Sequence, residues 1–275
     1  MSDLAIKSMN LYAEVDRVYN DLRAAGIDDN APIPVETLCQ FDQYHYHGTK
    51  AVDEAIRFAE IGPESKILDI GAGIGGPARY IAHKTGCQVV ALELQKDLND
   101  VGQDLTKRCG LADHVAHLCG DALDAPFELG AFDAVVSWLC LYHIPNHPLL
   151  FSQLARALKP GGKLYAEDLF KLGDFTMDER RELATMVYGQ SVLEQEDYKS
   201  NLINAGFADI GFEHQTDDWS FFVRNRKEAH DANFEAYASR HSQQMAEDIK
   251  VFYDTMDRLF AGGNLGGVKL TATKG

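Results

Sequence analysis

The 275 residues are 45% hydrophobic, enough for one sizeable core near the upper end of what a single core serves. Lys and Arg number 26 against 42 Asp and Glu, and a formal charge of −16 repels phosphate backbones and anionic bilayers, which argues against nucleic-acid and membrane partners. The sequence opens without a basic leader and apolar run, no stretch approaches about 18 uncharged apolar residues, and five scattered cysteines lack a C-x-x-C pair; the expected setting is the cytoplasm, with reduced thiols.

Apolar residues from Leu4 to Leu22 recur at helical spacing and predict one amphipathic helix within 1–30, ending near Gly26. Pro32 and Pro34 deny backbone donors and make 31–34 a loop. From residue 51 the pattern alternates: helix 51–60, buried strand 65–70, glycine turn 71–76, helix 77–85, strand 87–94 and helix 96–109. Strands 114–120 and 132–139, helix 147–158 and strand 161–169 follow. Helices 177–189, 194–205, 217–240 and 243–261 then enclose strand 208–214 and precede strand 266–274. Such alternation specifies an α/β fold, a parallel sheet with helices on both faces, closed by an antiparallel edge pair with an inserted helical lid. The expected organisation is a single domain over 1–275: a cap segment 1–50, a cofactor-binding core 51–175, and a helical lid with closing strands 176–275.

Gly71, Gly73, Gly75 and Gly76 lie between a buried strand and a helix, where glycines let the backbone approach a ligand and present helix N-terminal N–H groups. Glu93 ends the next strand, where a carboxylate can accept both hydroxyls of a ribose, and Leu94 follows it. Asp121 and Ala122 close the third strand, and Asp121 can accept from an adenine amine. These features point to an adenosine-type cofactor, and the loop alone leaves a nicotinamide cofactor open.

LDIGAGIGG, ALEL, CGDAL, FDAVVSWLCLYHI and LKPGGKLYAED together resemble the class I S-adenosylmethionine-dependent methyltransferases over about 68–168. The segments CGLADHVAHLCGDAL, YKSNLINAGF, DDWSFFVRNRK and the closing FYDTMDRLFAGGNLGGVKLTATKG resemble the branch that holds sarcosine/dimethylglycine and phosphoethanolamine N-methyltransferases. The resemblance implies a Rossmann-like seven-stranded sheet with an antiparallel last strand, an N-terminal helical cap and a C-terminal helical insertion. It implies S-adenosyl-L-methionine as cofactor, held by Gly71, Gly73, Gly75, Glu93, Leu94, Asp121 and Ala122, with Trp138 and Tyr46 beside it.

The same resemblance places His143, in the loop after the fourth strand, next to the acceptor, as a general base or an orienting partner. Tyr44, His45, Glu167, Tyr188 and Trp219 are the candidates for holding substrate. Tyr44 and Tyr46 with Trp138 can form an aromatic wall for a cation. His45, His47, His143 and His147 lack a diagnostic metal spacing, and no metal is expected. Where amine-methylating members carry Asp, this chain has Leu139, and where phosphobase enzymes carry a tyrosine it has Leu169. The leading expectation is methyl transfer to the nitrogen of a small soluble amine or amino-acid-like molecule, with O, S or C acceptors open. A nicotinamide oxidoreductase and a noncatalytic cofactor-binding protein are the readings from other classes, and a homodimer is left open.

Overall fold

The computed structural model describes residues 14–275. The first thirteen residues of the expected N-terminal helix lie outside them; within them, α1 spans Arg17–Ala24. A short helix α2 (Val35–Leu38) begins directly after Pro34, whose fixed φ of −60° suits an N-cap, so the loop expected over 31–34 ends where the prolines do.

The core then follows the expected alternation. It runs α3 (Thr49–Phe58), β1 (Lys66–Ile70), α4 (Gly76–Thr85), β2 (Gln88–Glu93), α5 (Lys96–Arg108), β3 (Val115–Cys119) and β4 (Phe132–Trp138). A 3₁₀ turn at Leu141–His143 leads to α6 (His147–Ala157) and β5 (Leu158–Lys171). The last third holds α7 (Met177–Glu182), a π-helical turn Leu183–Val187, α8 (Gln195–Asn204), β6 (Phe207–His214), α9 (Thr216–Ala232), α10 (Phe234–Arg240), α11 (Gln243–Ala261) and β7 (Leu265–Lys274). The helix expected over 217–240 is thus two helices that meet at Asn233.

The seven strands lie in the order β3-β2-β1-β4-β5-β7-β6. β1 to β5 pair in parallel, and β7 runs antiparallel between β5 and β6. The sheet reverses order between β1 and β4, and open α/β sheets bind ligands in the crevice at such a switch point.

Alternate residues of each strand feed different cores. On β1, Leu68 and Ile70 join Val135, Leu154 and Leu164 on one face, while Ile67 joins Val89, Ala134 and Val136 on the other. Trp219 of α9 lies against β7, where a Cβ on Gly267 would come within 2.2 Å of its ring, so the two glycines at the start of β7 admit the lid helix. Among the described residues no helix is long and apolar enough to cross a membrane.

Candidate active site

The glycine loop is built by conformations that other residues adopt poorly. Gly71 and Gly73 sit at φ 69° and 54°. A Cβ on Gly71 would fall 2.0 Å from the sulfur of Cys140, whereas one on Gly73 meets nothing within 4 Å and would project into open space. That space is a cleft of about 220 Å³ across the C-terminal ends of β1 to β4, bordered by Gly71, Gly73, Glu93, Leu94, Asp121, Ala122 and Trp138. Seven of the nine residues expected to hold cofactor therefore meet in one place.

The other two do not. Gly75 instead caps α4 at φ 80°, where a Cβ would strike His117 at 2.6 Å; its glycine serves loop packing. Tyr46 packs edge-on against Trp219 with ring centroids 4.7 Å apart and lines a different cavity.

The Glu93 carboxylate is buried and accepts the N–H of Gly73 on one oxygen and that of Gln95 on the other, each at 2.9 Å. Burial raises its pKa and those backbone bonds counter the rise. A carboxylate offers about four lone-pair sites, so both oxygens can also accept ribose hydroxyls. Asp121 is exposed at the rim, one of its oxygens accepting the Leu123 N–H at 2.8 Å.

A recess of about 60 Å³ behind the glycine loop is lined by Asp69, Gly71, Gly73, His45 and Trp138. Asp69 is 1% exposed, and its Oδ2 has no hydrogen-bond partner. Burial, aided by the charge of Glu93, pushes its pKa to about 8. The Trp138 indole N–H is likewise buried without a partner. An orphaned acceptor and an orphaned donor facing one recess fit the ammonium and carboxylate of an amino acid. Asp69 was missed from sequence, although a lone carboxylate inside the apolar strand before a glycine loop is a readable signal.

A cavity of about 460 Å³ lies between the N-terminal segment, the 3₁₀ turn and helices α9 to α11. Leu139 borders this cavity, the cleft and the recess, and so marks their junction. Its backbone is held at φ 51°, left-handed for a branched side chain, with its N–H donated to the Glu167 carbonyl at 2.7 Å. Tyr44, His45 and Tyr46 line the cavity. Trp138 contacts His45 at 5.5 Å between centroids and shares the recess with Tyr44, which also lines the large cavity beside Tyr46, so of the expected three-ring wall Tyr46 and Trp138 border different cavities.

His143 borders the cofactor cleft, and its Nδ1–H donates to the Tyr188 carbonyl at 3.0 Å; burial depresses its pKa to about 4. The Tyr188 carbonyl that accepts this bond belongs to a left-handed backbone that ends the π-helical turn. Glu167 and Asp168 point to opposite faces of β5 because neighbours on a strand alternate. Glu167 accepts from the Tyr165 hydroxyl at 2.6 Å and borders a separate cleft with Lys269 and Trp219; Asp168 accepts from the Tyr198 hydroxyl in the core. Trp219, 1% exposed, supports Tyr46 from below. Among the described residues no group of three or more His, Cys, Asp or Glu is placed to hold a metal.

A family model described as a methyltransferase domain matches residues 68–166. The chain is 30% identical over 211 residues to the sarcosine/dimethylglycine N-methyltransferase of Halorhodospira halochloris, which covers 75% of this chain and 73% of that protein. The chain belongs to the S-adenosylmethionine-dependent methyltransferases. Phosphoethanolamine N-methyltransferase 1 of Zea mays is 28% identical over 204 residues, 74% of this chain and 40% of that one. In fold, the Haemonchus contortus phosphoethanolamine N-methyltransferase 2 solved with S-adenosyl-L-methionine superposes at TM-score 0.80 with 23% identity, over 100% of this chain and 60% of that one. A cyclopropane synthase from Mycobacterium tuberculosis superposes at 0.78 with 16% identity over 99% and 100%, so the fold alone does not name the acceptor.

Proposed function

We propose that this methyltransferase methylates the nitrogen of a small amine held in the large cavity at Leu139. The observation that carries this reading is the aromatic lining of that cavity, with Tyr46, Tyr142, Phe222 and Phe252, directly beside the cofactor cleft. Nitrogen becomes cationic as it takes the methyl, and ring faces stabilise a cation by about 0.5–2 kcal/mol each, where an alcohol or thiol acceptor would become neutral.

S-adenosylmethionine, when bound, supplies a methyl group on a positively charged sulfur. Glu93 would hold its ribose, Asp121 and Ala122 its adenine end, and Asp69 and Trp138 its ammonium and carboxylate. The chain's own part is positioning and exclusion of water, which leave few proton transfers to arrange. His143, neutral above about pH 4, orients through its bond to Tyr188 and contributes no inflection near neutrality. The charge of −16 supports an enzyme of small soluble molecules that engages neither nucleic acid nor anionic membrane.

The test is a labelled-methyl assay on secondary amines and their matched alcohols and thiols. Label confined to nitrogen is expected; label on oxygen or sulfur would replace the reading.

The role of Asp69 has its own signature. In the cofactor-free protein at pH 7 its carboxyl, with a pKa of about 8, is largely protonated. Pairing with an ammonium favours the charged form, so binding releases a proton and tightens as pH rises towards 8. Calorimetry of S-adenosylhomocysteine binding in buffers of different ionisation enthalpy is expected to show proton release in the native protein and none in Asp69→Asn. Equal release by both would remove Asp69 from the site.

A further inference from the structure

Arg17 of α1 is 7% exposed and borders the large cavity, but neither the cofactor cleft nor the recess. Its guanidinium lies over the ring of Tyr44, 4.2 Å from the centroid, with Tyr237 of α10 and Tyr253 of α11 close by. Among the described residues no carboxylate forms an ion pair with it. Asp21, the acidic residue on the same wall, is engaged by Arg240 at 3.0 Å. In a chain with 42 acidic side chains against 26 basic ones, a buried arginine with no counter-ion among the described residues is the exception that needs a reason. Arg226, also on the cavity wall, stacks on Phe222 at 4.9 Å and likewise forms no ion pair among the described residues.

The cavity is also larger than a minimal amine needs. A water occupies about 30 Å³, so some 460 Å³ corresponds to roughly fifteen water-sized groups. Ligand sites of this size hold extended, drug-sized molecules.

We infer that Arg17, with the hydroxyls of Tyr237 and Tyr253, forms an anion subsite, and that the acceptor is an elongated molecule carrying a carboxylate or phosphate at the end opposite its reacting nitrogen. The inference rests on the cavity being the acceptor site. The guanidinium fork matches either anion in two parallel hydrogen bonds, and the tyrosine hydroxyls donate to the remaining lone pairs. Leu139 borders the cavity where it meets the cofactor cleft and the recess, and methyl transfer would occur at that junction. Specificity then follows from length: a molecule whose anion reaches Arg17 presents its nitrogen at the junction, while a short amino acid satisfies one end only.

The probes are ε-methylaminocaproate, its uncharged amide, N-methylaminopentyl phosphate and sarcosine, titrated calorimetrically into the protein loaded with S-adenosylhomocysteine. Expected is binding of at least one long anionic probe roughly tenfold or more tighter than the amide and than sarcosine. The carboxylate and phosphate arms identify which anion the subsite prefers. Arg17→Gln is expected to erase the preference and leave S-adenosylhomocysteine affinity unchanged; Arg17→Lys restores part of it, and Tyr237→Phe weakens it. Equal affinity of anionic and neutral probes in the native protein, binding by none of them, or a preference that survives Arg17→Gln in a folded variant overturns the subsite. Arg17-dependent anion binding without methyl transfer to any bound probe would leave the subsite standing and count against the acceptor reading instead.

Discussion

Replacing Arg79 by methionine is expected to lower stability by about 3–5 kcal/mol, because it leaves the buried Asp42 carboxylate without its partner. Arg79 is fully buried on α4 and donates to Asp42 at 2.9 Å and to the Gly102 carbonyl and the Thr106 hydroxyl at 3.2 Å each. Asp42 is already poised unfavourably: burial outweighs the pairing and raises its pKa. At about 2–4 °C per kcal/mol for a chain of this size, the melting temperature falls by roughly 6–20 °C. The backbone of Asp42 also packs against the glycine loop, where a Cβ on Gly76 would sit 2.3 Å from its carbonyl oxygen. Cofactor affinity is therefore expected to fall with stability. Adding Asp42→Leu to the variant is expected to recover part of the loss, since both charges are then gone. A melting temperature equal to that of the native protein would show that the pair contributes nothing.

Glu93→Ala is expected to weaken S-adenosylhomocysteine binding by about 3 kcal/mol, on the order of a hundredfold, for two reasons that add. The ribose loses charge-assisted hydrogen bonds, and the N–H groups of Gly73 and Gln95 lose the carboxylate that fixes the loop around them. Glu93→Gln, which keeps one acceptor oxygen, is expected to fall between. An unchanged dissociation constant in a folded variant, measured calorimetrically, would place the ribose elsewhere.

The parts of this architecture that local chemistry dictates were legible in the sequence. Each strand from β1 to β5 follows from an apolar run, and the cleft from glycines and carboxylates at strand ends, because the parallel topology brings every such end to one edge. What could not be read is set by contacts between distant segments. The resemblance placed Tyr46 beside the cofactor, and its ring packs edge-on against Trp219, more than 170 residues later. Trp219 in turn looked like a substrate contact and is a packing residue against Gly267. Glu167 was a candidate for holding substrate, and the pleat of β5 turns it to the face opposite its neighbour Asp168, towards Tyr165. Arg17 sat within an amphipathic pattern as an ordinary polar residue; its burial depends on α10 and α11, which no periodicity connects to α1. The Asp42–Arg79 pair had no signal at all, since neither residue departs from the composition of its surroundings.

The position of β7 between β5 and β6 has a consequence for how the polypeptide is made. About a hundred residues separate the end of β5 at Lys171 from the end of β7 at Lys274, and at about 5–20 residues per second their synthesis takes roughly 5–20 s. Throughout that interval the nascent chain has every strand of the donor-binding cleft but lacks the strand that seals β5, which presents an open edge to any neighbour. The newborn protein therefore acquires the elements that grip the methyl donor before it has a chamber for the acceptor, and a ligand that gathers β1 to β4 early would shorten the time that edge stays available for mispairing.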